Sequence, residues 1–343
     1  MQESFRSQKV GLAMVLLLLL FYVSSTSAAP CTTATANCTE WIKLGKGQAR
    51  SLIYRTHSLE TSNQDITRVL VMVHGAGRDA DNYFRTAVAA GFLAGALDNT
   101  LIIAPRFASN NGGGCSDALA DNEINWGCNG DSWRSGSVAT KAESVTSYDL
   151  MDEILRKVAR QNLFPKVKAI VLSGHSAGGQ YMARYVMANA VHDALQIPIT
   201  YVVSNPSSYA YLDANRPTAS GDEFRPYSEG RNCTTYDRWP YGLQNRNGSA
   251  AKLSDEQLKK NLAARSVIYL LSELDTLPLA GFDSSCPAMA QGPNRFARGQ
   301  AYAKYVNQKF GAQHKVTTVP LCGHNARCVF TAEVALPILF PKM

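Results

Sequence analysis

Gly174-His175-Ser176-Ala177-Gly178 lies between an apolar run at 167–172 and a helix-like segment at 179–191. It matches the pattern G-x-S-x-G, in which a serine is held on a sharp turn between a strand and a helix with its hydroxyl exposed. The flanking segments supply that context, since the first reads as a buried strand and the second as a helix. Neither glycine carries a Cβ that could collide with a neighbouring element. The positive end of the helix dipole would then stabilise negative charge beside Ser176.

A glycine turn directly follows the first strong strand that the sequence predicts, at 67–73. The turn has the sequence His74-Gly75-Ala76-Gly77. A turn of this kind lets a backbone N–H point into a site at the end of the strand, where it can stabilise an oxyanion. A tight turn with no further role would use glycine in the same way. His74 and its counterpart His175 are predicted to be hydrogen-bonded structural residues that support their turns.

An H-G-x-G loop followed about 100 residues later by G-H-S-A-G-G resembles the α/β-hydrolase superfamily. The resemblance implies an α/β fold with a mostly parallel central sheet, helices on both faces and a cap insertion after the strand that follows the nucleophile helix. In such a fold Ser176 would be the nucleophile. The backbone N–H groups of Ala76 and Ala177 would form the oxyanion hole, with Gly77 as a substitute for Ala76.

Two histidines lie late enough in the chain to serve as the general base for Ser176. The superfamily's chain order is nucleophile, then acid, then histidine. His314 precedes the last predicted strand, at 315–320, whereas His324 follows it. Reactive groups in open α/β sheets lie at the carboxyl ends of parallel strands, so His324 shares an edge with Ser176 and His314 does not. We therefore predict that His324 is the base.

Three carboxylates could orient that histidine. Asp275 follows a predicted strand at 266–271 by four residues, and the superfamily's acid usually lies at this position. Glu273 is two residues earlier and could replace it, and Asp283 is a more distant third. Each could also be an ordinary solvated loop carboxylate. We predict Asp275 as the acid.

The first 28 residues differ in composition from the rest of the chain. Arg6 and Lys9 precede an apolar run at 10–23, which small residues follow. This pattern predicts a secretory signal peptide at 1–28, cleaved after Ala28. An uncleaved anchor is the alternative, although the run is shorter than the ~20 residues that a membrane-spanning helix needs. We expect a secreted, extracellular protein with no stable membrane insertion after cleavage.

The eight cysteines are an even number in a chain addressed to an oxidising compartment, so they predict four disulfides. We expect neighbours in the sequence to pair, which gives Cys31–Cys38, Cys115–Cys128, Cys322–Cys328 and, as the remainder, Cys233–Cys286. A zinc site is the rival, but the sequence has no C-x-x-C or H-x-x-x-H spacing, and we predict no metal.

Length and composition favour one domain and restrict its partners. A chain of 343 residues with 45% hydrophobic content can bury one large core, which we place at 29–343. The formal charge of +7 is spread along the chain without a basic run, so no nucleic-acid partner is predicted. The sequence leaves the oligomeric state open. Three sequons would carry glycans in a eukaryotic source, at Asn37, Asn232 and Asn247.

Two long segments stand out as candidates for the substrate cleft. The segment 106–136 is rich in Asn, Gly and Ser, and 205–264 is polar with scattered aromatic residues. Long loops of this kind are usually functional or disordered, although a tryptophan in one is also ordinary core material. By the resemblance, the second segment would form the cap. We expect substrate contacts from Trp133 and Tyr209.

These predictions together describe a secreted serine hydrolase that cleaves carboxylic esters through Ser176, Asp275 and His324, with an acyl-enzyme intermediate. The resemblance is to extracellular esterases such as polyester depolymerases and feruloyl esterases, so the substrate would be a small or polymer-linked ester. We expect no metal or organic cofactor. A secreted serine peptidase on the same fold would use an identical triad, and a non-catalytic ligand-binding or adhesion protein of this fold is a further alternative.

Overall fold

The computed structural model describes residues 29–128, 132–140, 144–279 and 281–343. The predicted signal peptide at 1–28 lies outside these residues. The strands are β1 Thr39–Lys43, β2 Arg50–Arg55, β3 Arg68–Val73, β4 Thr100–Pro105, β5 Ala169–His175, β6 Ile199–Ser204, β7 Asn215–Pro217, β8 Phe224–Pro226, β9 Ser266–Ser272 and β10 Lys315–Val319. The helices are α1 Ala80–Leu93, α2 Ser147–Val158, α3 Ala177–Ala188, α4 Asp255–Ala264, α5 Cys286–Met289, α6 Arg295–Phe310, α7 Ala326–Thr331 and α8 Leu336–Leu339.

Eight strands form the central sheet in the order β1-β2-β4-β3-β5-β6-β9-β10. All pairs from β4 to β10 are parallel, and only β1 with β2 and β2 with β4 are antiparallel. Val73, the last residue of β3, pairs with Gly174 of β5, and His175 pairs with Ser204 of β6. The turns that follow these three strands therefore meet at one edge of the sheet.

Helices cover both faces of this sheet, as predicted. The side chains of β3 alternate between two cores: Val71 and Val73 pack with α2, α3 and α6, whereas Leu70 and Met72 pack with α1, α7 and α8. Every residue of β3 is buried, which explains why its sequence is a continuous apolar run without polar alternation.

β1 and α4 are among the elements that the sequence does not predict. β1 lies between the Cys31–Cys38 disulfide and β2, and Ile42 is its one fully enclosed side chain. A single buried position gives too little alternation to identify an edge strand. α4 lies in the expected cap segment, where Ser254 caps it by accepting a hydrogen bond from the Gln257 N–H.

The described part of the segment 106–136 packs against the body of the domain. The Arg78 guanidinium donates to the backbone carbonyls of Phe107 and Gly127, which ties this segment to the turn after β3. The rings of Phe107 and Trp133 stack with their centroids 4.9 Å apart. Trp126 is also buried. The tryptophans of this segment therefore belong to the core.

All four predicted disulfides are present, and they join Cys31 to Cys38, Cys115 to Cys128, Cys233 to Cys286 and Cys322 to Cys328. Cys322–Cys328 ties the loop after β10 to α7. Cys31–Cys38 ties the start of the described chain to the beginning of β1. Within the described ranges, no helix has the length and apolar character needed to cross a membrane.

Candidate active site

Ser176 occupies a sharp turn between β5 and α3. Its backbone φ is 58° and its ψ is −116°, a region that residues with a side chain rarely adopt. The turn projects the hydroxyl away from the sheet, and the residue is partly exposed although its neighbours His175 and Ala177 are buried. A strained, exposed serine at a strand-to-helix turn is what the sequence motif predicts.

Direct contact between backbones holds this turn in place. A Cβ on Gly174 would lie 2.3 Å from the carbonyl oxygen of Gly178. A Cβ on Gly178 would lie 2.3 Å from the carbonyl oxygen of Val73, and one on Gly179 would lie 2.3 Å from that of Ser204. Each glycine thus admits another stretch of backbone where a methyl group would not fit. The start of α3 is seated between the ends of β3 and β6.

His324 lies in the loop after β10 and reaches Ser176. Its Nε2 is 3.0 Å from the Ser176 Oγ, and its Nδ1 is 2.7 Å from the Asp275 Oδ2. Asp275 follows β9, so the serine, histidine and carboxylate come from the carboxyl ends of three parallel strands. The three residues predicted from the sequence are thus brought together in one hydrogen-bonded chain.

Two further side chains hold Asp275. Asn205, directly after β6, donates from Nδ2 to the Asp275 Oδ2 at 2.6 Å. The Arg295 guanidinium, fully buried in α6, lies 3.5 Å from the Oδ1. Burial alone would raise the pKa of Asp275, but the hydrogen bonds from His324 and Asn205 and the charge of Arg295 lower it below its ordinary value. The carboxyl is therefore charged at neutral pH.

Sequence reasoning did not identify Asn205 or Arg295. Asn205 carries a findable signal, because it is the first residue after a predicted parallel strand and so lies at the reactive edge of the sheet. Arg295 lies 20 residues beyond Asp275 within a helix, and no local pattern marks it.

The rejected candidates for base and acid occupy other sites. His314, directly before β10, contacts the Tyr269 hydroxyl at 3.0 Å and the Leu262 carbonyl oxygen at 2.9 Å. Glu273 accepts a hydrogen bond from the Leu321 N–H at 3.1 Å. Asp283 accepts one from the Tyr241 hydroxyl at 2.8 Å. Each of these groups is engaged away from the Ser176 hydroxyl.

The turn after β3 lies beside Ser176. Gly75, Ala76 and Gly77 line the same cleft as Ser176 and His324. Ala177 is the first residue of α3, so its N–H has no acceptor within the helix. The predicted oxyanion-hole residues, Ala76 and Ala177, therefore flank the serine on the two turns that meet at this edge.

The buried side chain of His74 holds the turn after β3 through two hydrogen bonds. It is fully buried; its Nε2 accepts a hydrogen bond from the Phe107 N–H at 3.0 Å, and its Nδ1 donates to the Gly75 carbonyl oxygen at 2.8 Å. Burial lowers the pKa of His74 to about 4, so the ring is neutral at pH 7. This contact pattern is that of the structural histidine expected from the sequence.

His175 packs against the predicted base. Its ring centroid is 4.6 Å from that of His324, and its Nδ1 is 3.3 Å from the Tyr83 hydroxyl. Burial, with the nearby His324 as a second cause, lowers the pKa of His175 well below its ordinary value. A neutral ring at this position supports His324 without adding a charge beside it.

The cleft in front of Ser176 has a volume of about 560 Å³. Its walls come from the turn after β3, the first half of α1, the sharp turn at His175 and Ser176 (the elbow), the region before α5 and the segment 324–327. Several polar side chains face it: Asp79, Asn82, Arg85, Thr86, Asn325 and Arg327. We call this space the Ser176 cleft.

The predicted substrate contacts from Trp133 and Tyr209 need correction. Trp133 is 2% exposed and is stacked on Phe107. Tyr209 is fully buried, with its ring centroid 4.4 Å from that of Tyr302. Both rings fill the core beneath the sheet edge, where burial of a large aromatic surface favours them. The described part of the expected cap, 205–264, packs on α3, where Arg184 donates to the Pro240 carbonyl oxygen.

Among the described residues, no group of three or more His, Cys, Asp or Glu side chains could hold a metal ion.

Comparison with known proteins identifies similar folds and the family of this chain. No curated protein gives a significant sequence match. A poly(3-hydroxybutyrate) depolymerase from Bordetella parapertussis superposes with a TM-score of 0.59 and 19% identity, over 86% of this chain and 85% of that chain. A poly(aspartic acid) hydrolase from Sphingomonas sp. KT-1 gives 0.58 and 19%, over 88% and 97%. At such identities the likeness concerns the fold. A model described as "Alpha/beta hydrolase family" matches residues 70–335, and the chain belongs to that family.

Proposed function

We propose that the protein is a carboxylic ester hydrolase that uses Ser176 as its nucleophile. The observation that carries the proposal is the unbroken chain from the Ser176 Oγ through both ring nitrogens of His324 to the Asp275 carboxylate, with distances of 3.0 and 2.7 Å. A serine hydroxyl is a weak nucleophile, and a histidine base oriented by a carboxylate is the arrangement that activates it.

In the proposed reaction the Ser176 Oγ attacks the ester carbonyl carbon while its proton passes to the His324 Nε2. The Ala76 and Ala177 N–H groups stabilise the resulting oxyanion, and one such donor typically lowers the barrier by about 3 kcal/mol. His324 then protonates the leaving alcohol, which leaves an acyl group on Ser176. Water attacks that acyl group with His324 again acting as base, and the acid is released.

Asn205 and Arg295, which contact Asp275, support this cycle electrostatically. The histidine becomes positively charged twice in each turnover, and a carboxylate that stays ionised stabilises that charge. Burial would raise the pKa of Asp275, but the hydrogen bond with His324 lowers it, and the contacts from Asn205 and Arg295 lower it further, which keeps its carboxylate ionised. The carboxylate therefore remains available to His324 under acidic conditions in which an ordinary buried carboxyl would be protonated.

We also propose that the protein acts outside the cell. Four disulfides support this assignment, because disulfides persist mainly in oxidising compartments. The predicted signal peptide at 1–28 would direct the chain there. Sequencing the amino terminus of the protein secreted by a eukaryotic or bacterial host should find Ala29 first. Retention of residues 1–28 on the secreted protein would contradict the cleavage.

The first test of the activity uses p-nitrophenyl acetate and a phosphonate that labels activated serines. The wild-type protein should hydrolyse the ester and carry the label on Ser176, located by peptide mass spectrometry. Ser176→Ala should lose roughly 10⁵-fold or more in kcat without losing the fold, as nucleophile deletions do in serine hydrolases. An anilide of the same acid, assayed in parallel, distinguishes an esterase from a peptidase.

Ser173→Ala is the matched control. Ser173 is fully buried in β5, three residues before Ser176, and its Oγ has no hydrogen-bond partner among the described residues. Replacing it should leave both activity and labelling intact. Folded, oxidised wild-type protein that neither hydrolyses the ester nor takes up the label would overturn the proposal.

A further inference from the structure

The turn after β3 is a β-turn whose two central residues face the Ser176 cleft. The Arg78 N–H donates to the Gly75 carbonyl oxygen at 3.2 Å, which makes Ala76 and Gly77 the central residues. Both central residues are exposed and line the cleft, whereas Gly75 and Arg78 at the two ends are buried. The N–H of Ala76, the proposed oxyanion donor, therefore takes its direction from the two ends of the turn.

A single residue of the segment 106–136 holds both ends of this turn. At the first end, His74 accepts a hydrogen bond from the Phe107 N–H at 3.0 Å and donates to the Gly75 carbonyl oxygen at 2.8 Å. At the second end, the Arg78 guanidinium donates from Nη1 to the Phe107 carbonyl oxygen. The N–H and the C=O of one residue thus fix the two ends of the turn relative to each other.

The second terminal nitrogen of Arg78 reaches further along the same segment. Nη2 donates to the Gly127 carbonyl oxygen at 2.6 Å, and the guanidinium carbon lies 5.8 Å from the ring centroid of Trp133. Arg78 is 8% exposed, and burial lowers its pKa to about 10, so its guanidinium is charged at neutral pH. A buried charge is costly unless it is hydrogen-bonded. The carbonyls of Phe107 and Gly127 supply those bonds and so hold the side chain in one position.

The backbone of Arg78 lies in the left-handed region. Its φ is 57°, a value that glycine adopts without steric cost and that is unfavourable for a residue with a side chain. The chain has glycine at positions 75 and 77 but arginine at 78. An unfavourable backbone conformation persists only where surrounding contacts over-determine it, and such positions cluster at functional sites. The contacts of the guanidinium therefore outweigh the cost of a non-glycine residue at this position.

We propose that Arg78 is a positioning residue for the oxyanion hole: its guanidinium, bound to the carbonyls of Phe107 and Gly127, holds the Ala76 N–H in the direction that the oxyanion requires. The inference rests on the proposed esterase activity and adds a residue that acts through the turn, since Arg78 lies behind the residues that line the cleft. An oxyanion donor is effective only within hydrogen-bond distance of the developing charge. A small displacement of the turn is therefore enough to slow the reaction.

The test replaces Arg78 with glycine, which removes the guanidinium and suits the left-handed backbone. Titration with the serine-directed phosphonate counts the competent Ser176 in each preparation, and kcat for p-nitrophenyl acetate is then expressed per titrated site. For Arg78→Gly this kcat should fall roughly 10- to 100-fold, because the Ala76 N–H is displaced. KM and the kcat–pH profile should stay as in wild type, because His324 and Asp275 keep their contacts.

Chemical rescue gives a readout that a loss of stability does not produce. The Arg78→Gly protein keeps the Phe107 and Gly127 carbonyls beside the space that the side chain has left. Methylguanidinium offers the same planar set of N–H donors, so millimolar methylguanidinium chloride should raise kcat of the variant severalfold. Methylammonium chloride at the same concentration matches the ionic strength and should leave kcat unchanged.

Arg216→Ala is the matched control. Arg216 lies in β7, outside the central sheet, and is 2% exposed. Its Nη1 donates to the carbonyl oxygens of Asp213 at 2.9 Å and Asn215 at 2.7 Å, so it is also a buried guanidinium bound to backbone carbonyls. Its loss should lower the free energy of unfolding, while kcat per titrated site stays at the wild-type value and methylguanidinium has no effect.

Several outcomes would overturn the proposal. Wild-type kcat per titrated site in Arg78→Gly, with a smaller titratable fraction, would make Arg78 a purely structural residue. A shifted kcat–pH profile would show that the variant acts through His324. A fall in kcat that methylguanidinium does not reverse would assign the loss to the backbone at position 78. A wild-type protein that neither hydrolyses the ester nor takes up the label refutes the esterase proposal itself, so the two failures are distinguishable.

Discussion

The serine side of the site and its acid–base side are built by different means. The turn at Ser176 is held by backbone packed against backbone, with glycine at each close approach: Gly174, Gly178 and Gly179. Asp275 and His324 lie in loops beyond β9 and β10, where side-chain hydrogen bonds position them. Steric contact admits almost no alternative geometry, whereas hydrogen bonds can be removed one at a time. A substitution at one of these glycines should therefore disrupt the whole turn that carries Ser176. A substitution on the acid–base side should remove one contact and lower activity only in part.

The sharpest test of this contrast is Gly178→Ala. The added methyl would lie 2.3 Å from the Val73 carbonyl oxygen and 2.7 Å from that of His74, and both are backbone atoms of a central strand or its turn. We expect a loss of roughly 4 kcal/mol or more in the free energy of unfolding, in the range reserved for severe core disruption. Urea denaturation followed by circular dichroism would measure it.

Gly47→Ala provides the comparison, because nothing lies within 4 Å of a Cβ at Gly47. It should change the free energy of unfolding by less than about 0.5 kcal/mol, as surface substitutions usually do. A folded Gly178→Ala protein with near-wild-type stability would contradict the view that backbone contact fixes the elbow.

The second prediction concerns pH and the buried His74. Its pKa is lowered to about 4 in the folded protein, mainly by burial, whereas an unfolded histidine titrates near 6.5. Between these values the unfolded chain binds more protons, so stability is complete above pH 6.5 and falls as the pH drops toward 4. This residue alone should cost about 2 kcal/mol of stability at pH 5 relative to pH 7.5.

His74→Gln should remove that part of the pH dependence while lowering stability at pH 7.5. Denaturant midpoints at the two pH values, for both proteins, give the difference. Taking that difference cancels Asp152, whose pKa burial raises to about 6 and whose contribution has the opposite sign. An identical pH dependence in the two proteins would show that His74 is already protonated or exposed.

The smallest effect is expected on the acid–base side, from Asn205→Ala. This change removes the hydrogen bond to the Asp275 Oδ2, so the pKa of Asp275 should rise and its hold on His324 should weaken. We expect kcat to fall roughly tenfold, a barrier change of about 1.4 kcal/mol, with KM unchanged.

Asn261→Ala separates positioning from stability. Asn261 is also a buried asparagine. It lies in α4, its Nδ2 donates to the Met187 carbonyl oxygen at 2.8 Å, and it makes no hydrogen bond to Ser176, His324 or Asp275 within the described part of the chain. Its loss should lower stability and leave kcat and its pH profile unchanged. Equal kcat values for the two variants would assign Asn205 a purely structural role.

The two sides also differ in how far sequence predicts them. The elbow and the turn after β3 can be predicted from glycines that follow apolar runs. Where two backbones approach closely only glycine fits, so the requirement is visible in a short stretch of sequence. His324 follows from chain order alone, since His314 falls before the last strand. Arg295 could not be found, because the contact between a helix residue and a loop 20 positions earlier leaves no local mark.

The aromatic residues show a second limit of sequence reasoning. Trp133 and Tyr209 fit either a cleft or a core, and only packing separates the two, since a large ring is favoured wherever it is buried. Phe92 and Leu93 present the reverse case. In sequence they continue the apolar pattern of α1, whereas in the fold they are exposed. Whether a side chain is buried depends on how the helices pack on the sheet, and composition alone does not predict that packing.

The order of the disulfides along the chain has a consequence for biosynthesis. Each of the four bridges joins a cysteine to the next cysteine in the sequence, with separations of 7, 13, 53 and 6 residues. As the chain emerges from its amino terminus, every pair is complete before the following cysteine appears. Oxidation in order of synthesis therefore leads to the native pairing, and a host that supplies an oxidant has no need to reshuffle these bonds.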